Sequence, residues 1–129
     1  MQDHPAPSEI LAAVARFLKE EVAPATTGHT SFQARVAANA LEMMRRQLDL
    51  APGQEAAEQA RLRDLLAMDG DLAALNTELS RRIEAGEIDL STPGLADHLW
   101  AVTLAKLAVD QPTYAAYRVS LAERGGTKD

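Results

Sequence analysis

Residues Leu95 to Asp110, LADHLWAVTLAKLAVD, are apolar almost all the way round, yet carry a lysine and an aspartate where a helix would place core. At about 100° per residue, Lys106 falls between Leu95, Leu99 and Val102, and Asp110 lies one turn further along the same stripe. Ionisable side chains on such a face are rarely buried unless paired. The run therefore predicts a central helix in which Lys106 is buried and paired, either with Asp110 or with a carboxylate from another helix such as Glu21.

The rest of the chain is compatible with a shell around that helix. At 129 residues it is long enough to bury roughly two thirds of its unfolded surface in one core, so residues 1–129 are expected to form a single domain. It contains no cysteine, which excludes thiol catalysis, thiolate metal sites and disulfide scaffolds. The opening MQDHPAPSEI has neither the basic nor the apolar region of a secretory signal. Asp97, His98, Lys106 and Asp110 interrupt the best apolar run well short of the ~20 residues a membrane span needs. A soluble, cytoplasmic protein is expected. The net charge of −6, with basic residues only in short pairs such as Arg45-Arg46 and Arg81-Arg82, offers no positive field for phosphates. With few aromatics for base stacking, nucleic acid is not an expected partner.

Ala, Leu, Glu and Arg dominate, β-branched runs are absent, and Gly and Pro recur at intervals, so the expected class is all-α. Six segments emerge. The first spans about Ser8 to Val22, with Ser8 as its cap and Ile10, Val14, Phe17 and Leu18 as its core face. The second runs from Thr30 or Ser31 to about Leu50, with Phe32, Val36, Ala40 and Met43 in register, and Pro52-Gly53 is expected to end it. The third, from about Gln54 to Met68, is polar apart from Leu62, Leu65 and Leu66 and reads as an outer cover or a partly frayed helix. Asp71 caps a fourth helix with a narrow stripe of Leu72, Leu75, Leu79 and Ile83, and Gly86 follows its end. Ser91 or Thr92 caps the central fifth helix, and Gln111-Pro112 breaks it. A short sixth helix, about Thr113 to Ala122, aligns Tyr114, Tyr117 and Leu121. Residues 1–7 and 123–129 are expected to be mobile tails. Short connections favour antiparallel neighbours, so the expected architecture is a compact bundle of five to six helices around the hydrophobic fifth.

Polar residues at apolar wheel positions are the candidates for chemistry. Glu21, Asn39, Asn76, Lys106 and Asp110 could converge on an internal polar pocket. The simpler reading is that they lie at helix ends or face solvent, with Lys106 bridging to Asp110 while its stem packs on leucines. Of the three histidines, His4 falls in the N-terminal tail, His29 in a loop and His98 on the fifth helix, and none has a second ligand at metal spacing. His98 reads as a packed or interfacial residue. No serine lies in a nucleophile motif, and there is no glycine-rich phosphate loop, so neither a metal nor a cofactor is expected. Trp100, Tyr114, Tyr117 and Leu121 read either as core or as a contact surface.

Four segments together, ILAAVARFLKEEVAP, FQARVAANAL, LNTELSRRIEAGEID and LAKLAVDQPTYAAY, resemble an uncharacterised bacterial all-α family, a domain of unknown function of about this length. The resemblance implies genomic neighbourhood with an aminoglycoside-phosphotransferase-like kinase and an acyl-CoA dehydrogenase, and it carries over no catalytic residue. It draws attention to Arg35, Asn39, Lys106, Asp110, Pro112 and Tyr114, which lie in the matching segments. Two functions are expected in order: a non-enzymatic accessory protein that binds a protein partner such as the kinase or self-associates, and a bundle that holds a small anionic or acyl-type ligand near Lys106 and Arg35.

Overall fold

The computed structural model describes residues 3–125. Six α-helices follow one another, and no strand occurs among the described residues: α1 (Pro7–Phe17), α2 (Ala23–Ala25), α3 (Gly28–Leu66), α4 (Leu72–Glu84), α5 (Leu95–Asp110) and α6 (Ala115–Gly125), with a π-helical stretch Leu18–Val22 joining α1 to α2. The chain divides at Ala51–Pro52 into two compact units.

In the first unit, Ala6 precedes α1 as its N-cap, and its N–H donates to Glu9 Oε2 at 2.6 Å. Pro7 takes the first helical position, where its missing N–H costs nothing. Ser8, expected as the cap, lies instead inside the first turn. The helical path through the π stretch and α2 stops at Thr26, which is extended and whose Oγ1 donates to the Val22 carbonyl at 2.8 Å. α3 then starts at Gly28, at φ 57°, ahead of the expected Thr30 or Ser31. Ser31 is buried, and its hydroxyl donates to the Ala23 carbonyl at 2.8 Å.

The buried hydrophobic residues of this unit are Ala15, Ala23, Ala34 and Ala38. The residues expected as core, Ile10, Val14, Phe17, Phe32, Val36 and Met43, stand exposed. Ser31, Ala34 and Ala38 recur at i, i+3 and i+7 and therefore share one face of α3. That small-residue face is the covered one, and the stripe of larger side chains beside it faces out.

The second unit opens with a proline inside a helix. α3 runs through Pro52 and Gly53 without a break, contrary to the expected helix end. Proline removes the hydrogen bond to the carbonyl four residues earlier, here Leu48. Leu48, Pro52 and Gly53 are all exposed, so water can satisfy that carbonyl. The C-terminal part of α3, expected as an outer cover, supplies the centre of the core: Leu62 and Leu66 cluster with Leu75 and Leu79 of α4, Ile88 of the following loop and Leu95 of α5. Leu62 and Leu75 are fully buried.

Side chains secure the helix ends around this cluster. α3 ends at Leu66, Ala67 adopts a left-handed φ of 50°, and Arg82 Nη1 donates to the Leu66 carbonyl at 3.1 Å. Gln59 Nε2 donates to the Gly70 carbonyl at 2.8 Å. Asp71 caps α4 as expected, accepting from the Ala74 N–H at 2.8 Å, and Gly86 turns the chain at φ 72°. Arg81 bonds both Glu78 and Glu87, and Arg82 adds a second cation to Glu78. The hydrogen bonds from Arg81 and then Arg82 hold the Glu78 carboxyl down at about 2.

Before α5, Ser91 and Thr92 do not cap the helix. The Ser91 N–H donates to Asp89 Oδ1, and the Asp89 N–H donates to Thr92 Oγ1. The N-cap is Gly94, at φ 90°, a left-handed conformation that disfavours any side chain. α5 buries Leu95, His98 and Val109, while Leu99, Trp100, Thr103, Lys106 and Asp110 are exposed. It thus buries one face and leaves the other exposed. α6 extends to Gly125, so residues 123–125 are helical and not tail. At the other end, residues 3–6 precede α1 and Pro7 opens it, while residues 1–2 and 126–129 lie outside the described residues.

Candidate functional site

Of the polar sequence candidates, all but Asn76 are exposed side chains. Lys106 and Asp110 lie one turn apart on the exposed side of α5, and no ion pair joins them. The long lysine stem lets the ammonium reach water, so desolvation imposes no pairing. In the first unit Glu21, Arg35 and Asn39 are exposed. Asn76 alone is half-buried; its Nδ2 donates to Glu58 Oε1 at 2.9 Å and to the Leu72 carbonyl at 3.1 Å, a bond between α4 and α3.

A different polar group lies in the second unit. His98, in the first turns of α5, is 2 % exposed, and its Nδ1 has no hydrogen-bond partner. Arg61 of α3 is half-buried, and its Nε is likewise buried without a partner. Unpaired buried polar atoms are rare, because each forfeits the hydrogen bond it had with water. Both residues line one cavity of about 330 Å³, together with Asp64, Leu65, Pro93, Gly94 and Asp97. Burial, followed by the positive charge of Arg61, pushes the His98 pKa below its ordinary value, with Glu58 opposing the shift. That shift favours the neutral imidazole. Asp64 and Asp97 are exposed and set two negative charges among the lining residues.

The sequence reading of His98 as packed or interfacial agrees with its burial, whereas Arg61 is not singled out by the sequence pattern. His98 shares the Leu95, Val102 and Val109 stripe, the same argument that singled out Lys106. The imidazole is too short to bring its nitrogens out to water from that position, and the lysine is not.

A second, shallower depression of about 260 Å³ is apolar and lies on the outer side of α5, among Leu90, Ala96, Leu99, Trp100 and Thr103. Arg124 of α6 stands 5.6 Å from the centre of the Trp100 ring, within cation–π range. Of the expected contact residues, Trp100, Tyr114 and Leu121 are about half exposed, and Tyr117 is half-buried.

Among the described residues no three His, Asp or Glu side chains are grouped to hold a metal ion, and no helix is long and apolar enough to cross a membrane. No curated protein and no solved structure matches the chain. One family does, over residues 24–114, a span that includes the whole Arg61–His98 cavity and most of the chain. The chain belongs to that family, described as a domain of unknown function (DUF6285).

Proposed function

We propose that the chain is a non-enzymatic interaction protein whose exposed apolar faces dock a protein partner. One observation carries this reading: large hydrophobic side chains are on display while the buried set of the first unit is alanine. Phe17 is 51 % and Phe32 60 % exposed, and Ile10, Val14, Val36 and Met43 extend the same two stripes. Exposed apolar surface beyond a few hundred Å² is characteristic of interfaces. Aromatic and methionine side chains are the types enriched there. The exposed Leu90, Leu99 and Trp100 add a second apolar area on α5.

The partner we propose is the phosphotransferase-like kinase that the sequence resemblance associates with such chains, in a cytoplasmic bacterial setting. With a net charge of −6, the chain favours a partner whose apolar docking site has a basic rim. Sedimentation of the purified chain with the purified kinase from the same genome tests the reading. A 1:1 complex that is lost in Phe32→Asp supports it. Separate sedimentation of the two proteins at micromolar concentration overturns it, and a dimer of this chain alone assigns the same faces to a second copy instead.

A further inference from the structure

We propose that the Asp69–Gly70 link, between α3 and α4, is a site of self-modification at which the folded chain converts to isoaspartate. It is the only Asp-Gly step in the sequence, and there is no Asn-Gly step. The link stands outside regular structure, after α3 ends at Leu66 and before α4 starts at Leu72, and 86 % of the Asp69 side chain is open to water. There the Gly70 N–H donates to Oδ1 of the preceding side chain at 2.9 Å. Oδ1 is bonded to Cγ, so the Gly70 nitrogen lies against the carbon it has to attack, close to the roughly 3–3.5 Å from which such a ring closure starts. Glycine adds no Cβ to obstruct that approach. Arg63 Nε reaches the same oxygen at 2.7 Å and holds the side chain in place; a contact between exposed partners is weak and does not shut the carboxyl away. At Asp97 and Asp110 the following N–H is instead tied to a helix carbonyl, His98 to Gly94 and Gln111 to Leu107.

The reaction needs water alone. The carboxyl takes up a proton from solvent, and Gly70 N bonds to Asp69 Cγ. The amide proton and the carboxyl hydroxyl leave together as one water molecule, closing a succinimide ring. Water then adds back at either ring carbonyl. Cleavage of the N–Cγ bond restores aspartate; cleavage of the bond from Gly70 N to the main-chain carbonyl carbon leaves Gly70 attached through Cγ and that carbon as a free carboxylate. The link is also a joint. Gln59 Nε2 of α3 donates to the Gly70 carbonyl at 2.8 Å, and Asp71, next in the chain, caps α4 through the Ala74 N–H. A Cβ on Gly70 would touch the buried Leu75 at 3.6 Å. Routing the chain through the side chain adds one methylene, about 1.5 Å of backbone, which displaces the Gly70 carbonyl from Gln59 and loosens the start of α4. The modification does not depend on the docking faces proposed above.

The test ages the purified full chain at neutral pH in water enriched in heavy oxygen and maps the product by mass spectrometry. Trypsin releases residues 64–81 as one peptide that carries Asp64, Asp69 and Asp71, so two neighbours serve as internal controls. Isoaspartate with one heavy oxygen is expected at Asp69, accumulating about tenfold or more faster than at Asp64 or Asp71, where the attacking nitrogen belongs to a leucine. Gly70→Ala, whose Cβ fits at ordinary contact distance, should fold like the wild type and slow the conversion about tenfold. The aged wild type should melt at a lower temperature in proportion to its isoaspartate, and aged Gly70→Ala should not. Heavy oxygen no more abundant at Asp69 than at its two neighbours, or entering only when the chain is unfolded in urea, would overturn the site. Isoaspartate without a fall in melting temperature would overturn the loosened joint.

Discussion

The two units of this chain bury opposite kinds of side chain. Residues 52 onward enclose leucines, with Leu62, Leu66, Leu75, Leu79 and Leu95 in one cluster beside Ile88. The unit before them encloses Ala15, Ala23, Ala34 and Ala38 and leaves its phenylalanines outside. Burying a leucine contributes about 1.5–3 kcal/mol relative to exposure, and an alanine contributes only its single methyl. The second unit therefore has a leucine interior, whereas the first leaves its large apolar side chains on the surface. Buried leucines and exposed large apolar side chains belong to different stretches of one chain.

That contrast is exposed to direct test. Leu75→Ala should cost about 3–5 kcal/mol in denaturant unfolding, because transfer and cavity terms add at a fully buried site. Phe32→Ala should stay within about 0.5–1 kcal/mol despite removing more surface; equal losses in the two variants would erase the difference between the units. Next in size is Ala38→Leu, at a fully buried position of the first unit. Overpacking there should cost about 1–3 kcal/mol, and a neutral result would mean that the alanine face is loosely covered. The smallest effect belongs to acid. His98 has a folded pKa below its ordinary value, so the unfolded chain takes up its proton first as pH falls. Its contribution is complete above the ordinary imidazole range and is lost as pH drops through it. The melting temperature should decline from pH 7 to pH 5, and His98→Leu should flatten that part of the profile.

What could be read in advance was local. Asp71, Gly86 and the Gln111-Pro112 break mark their helix ends because a cap or a missing N–H acts within one turn, whatever lies around it. The all-α class followed from composition in the same way. Ranking faces by side-chain size failed in the first unit, since the sequence pattern of α3 shows a small-residue stripe and a large one side by side and does not say which is covered. Pro52 misled for the related reason that its cost depends on whether the Leu48 carbonyl reaches water. At the site, periodicity placed Lys106 and His98 on similar footing, and side-chain reach separated them.

Pro52 also has a consequence in the time domain. An amide exchanges its hydrogen when its helix turn opens, and the free energy of opening follows the contacts that hold the turn. α3 is one helix from Gly28 to Leu66, but the ladder lacks its rung at Pro52, between a half packed through alanines and a half anchored by Leu62 and Leu66. Deuterium should enter the first half within a short labelling time and reach the amides around Leu62 only on the timescale of global unfolding. A single helix would then report two lifetimes.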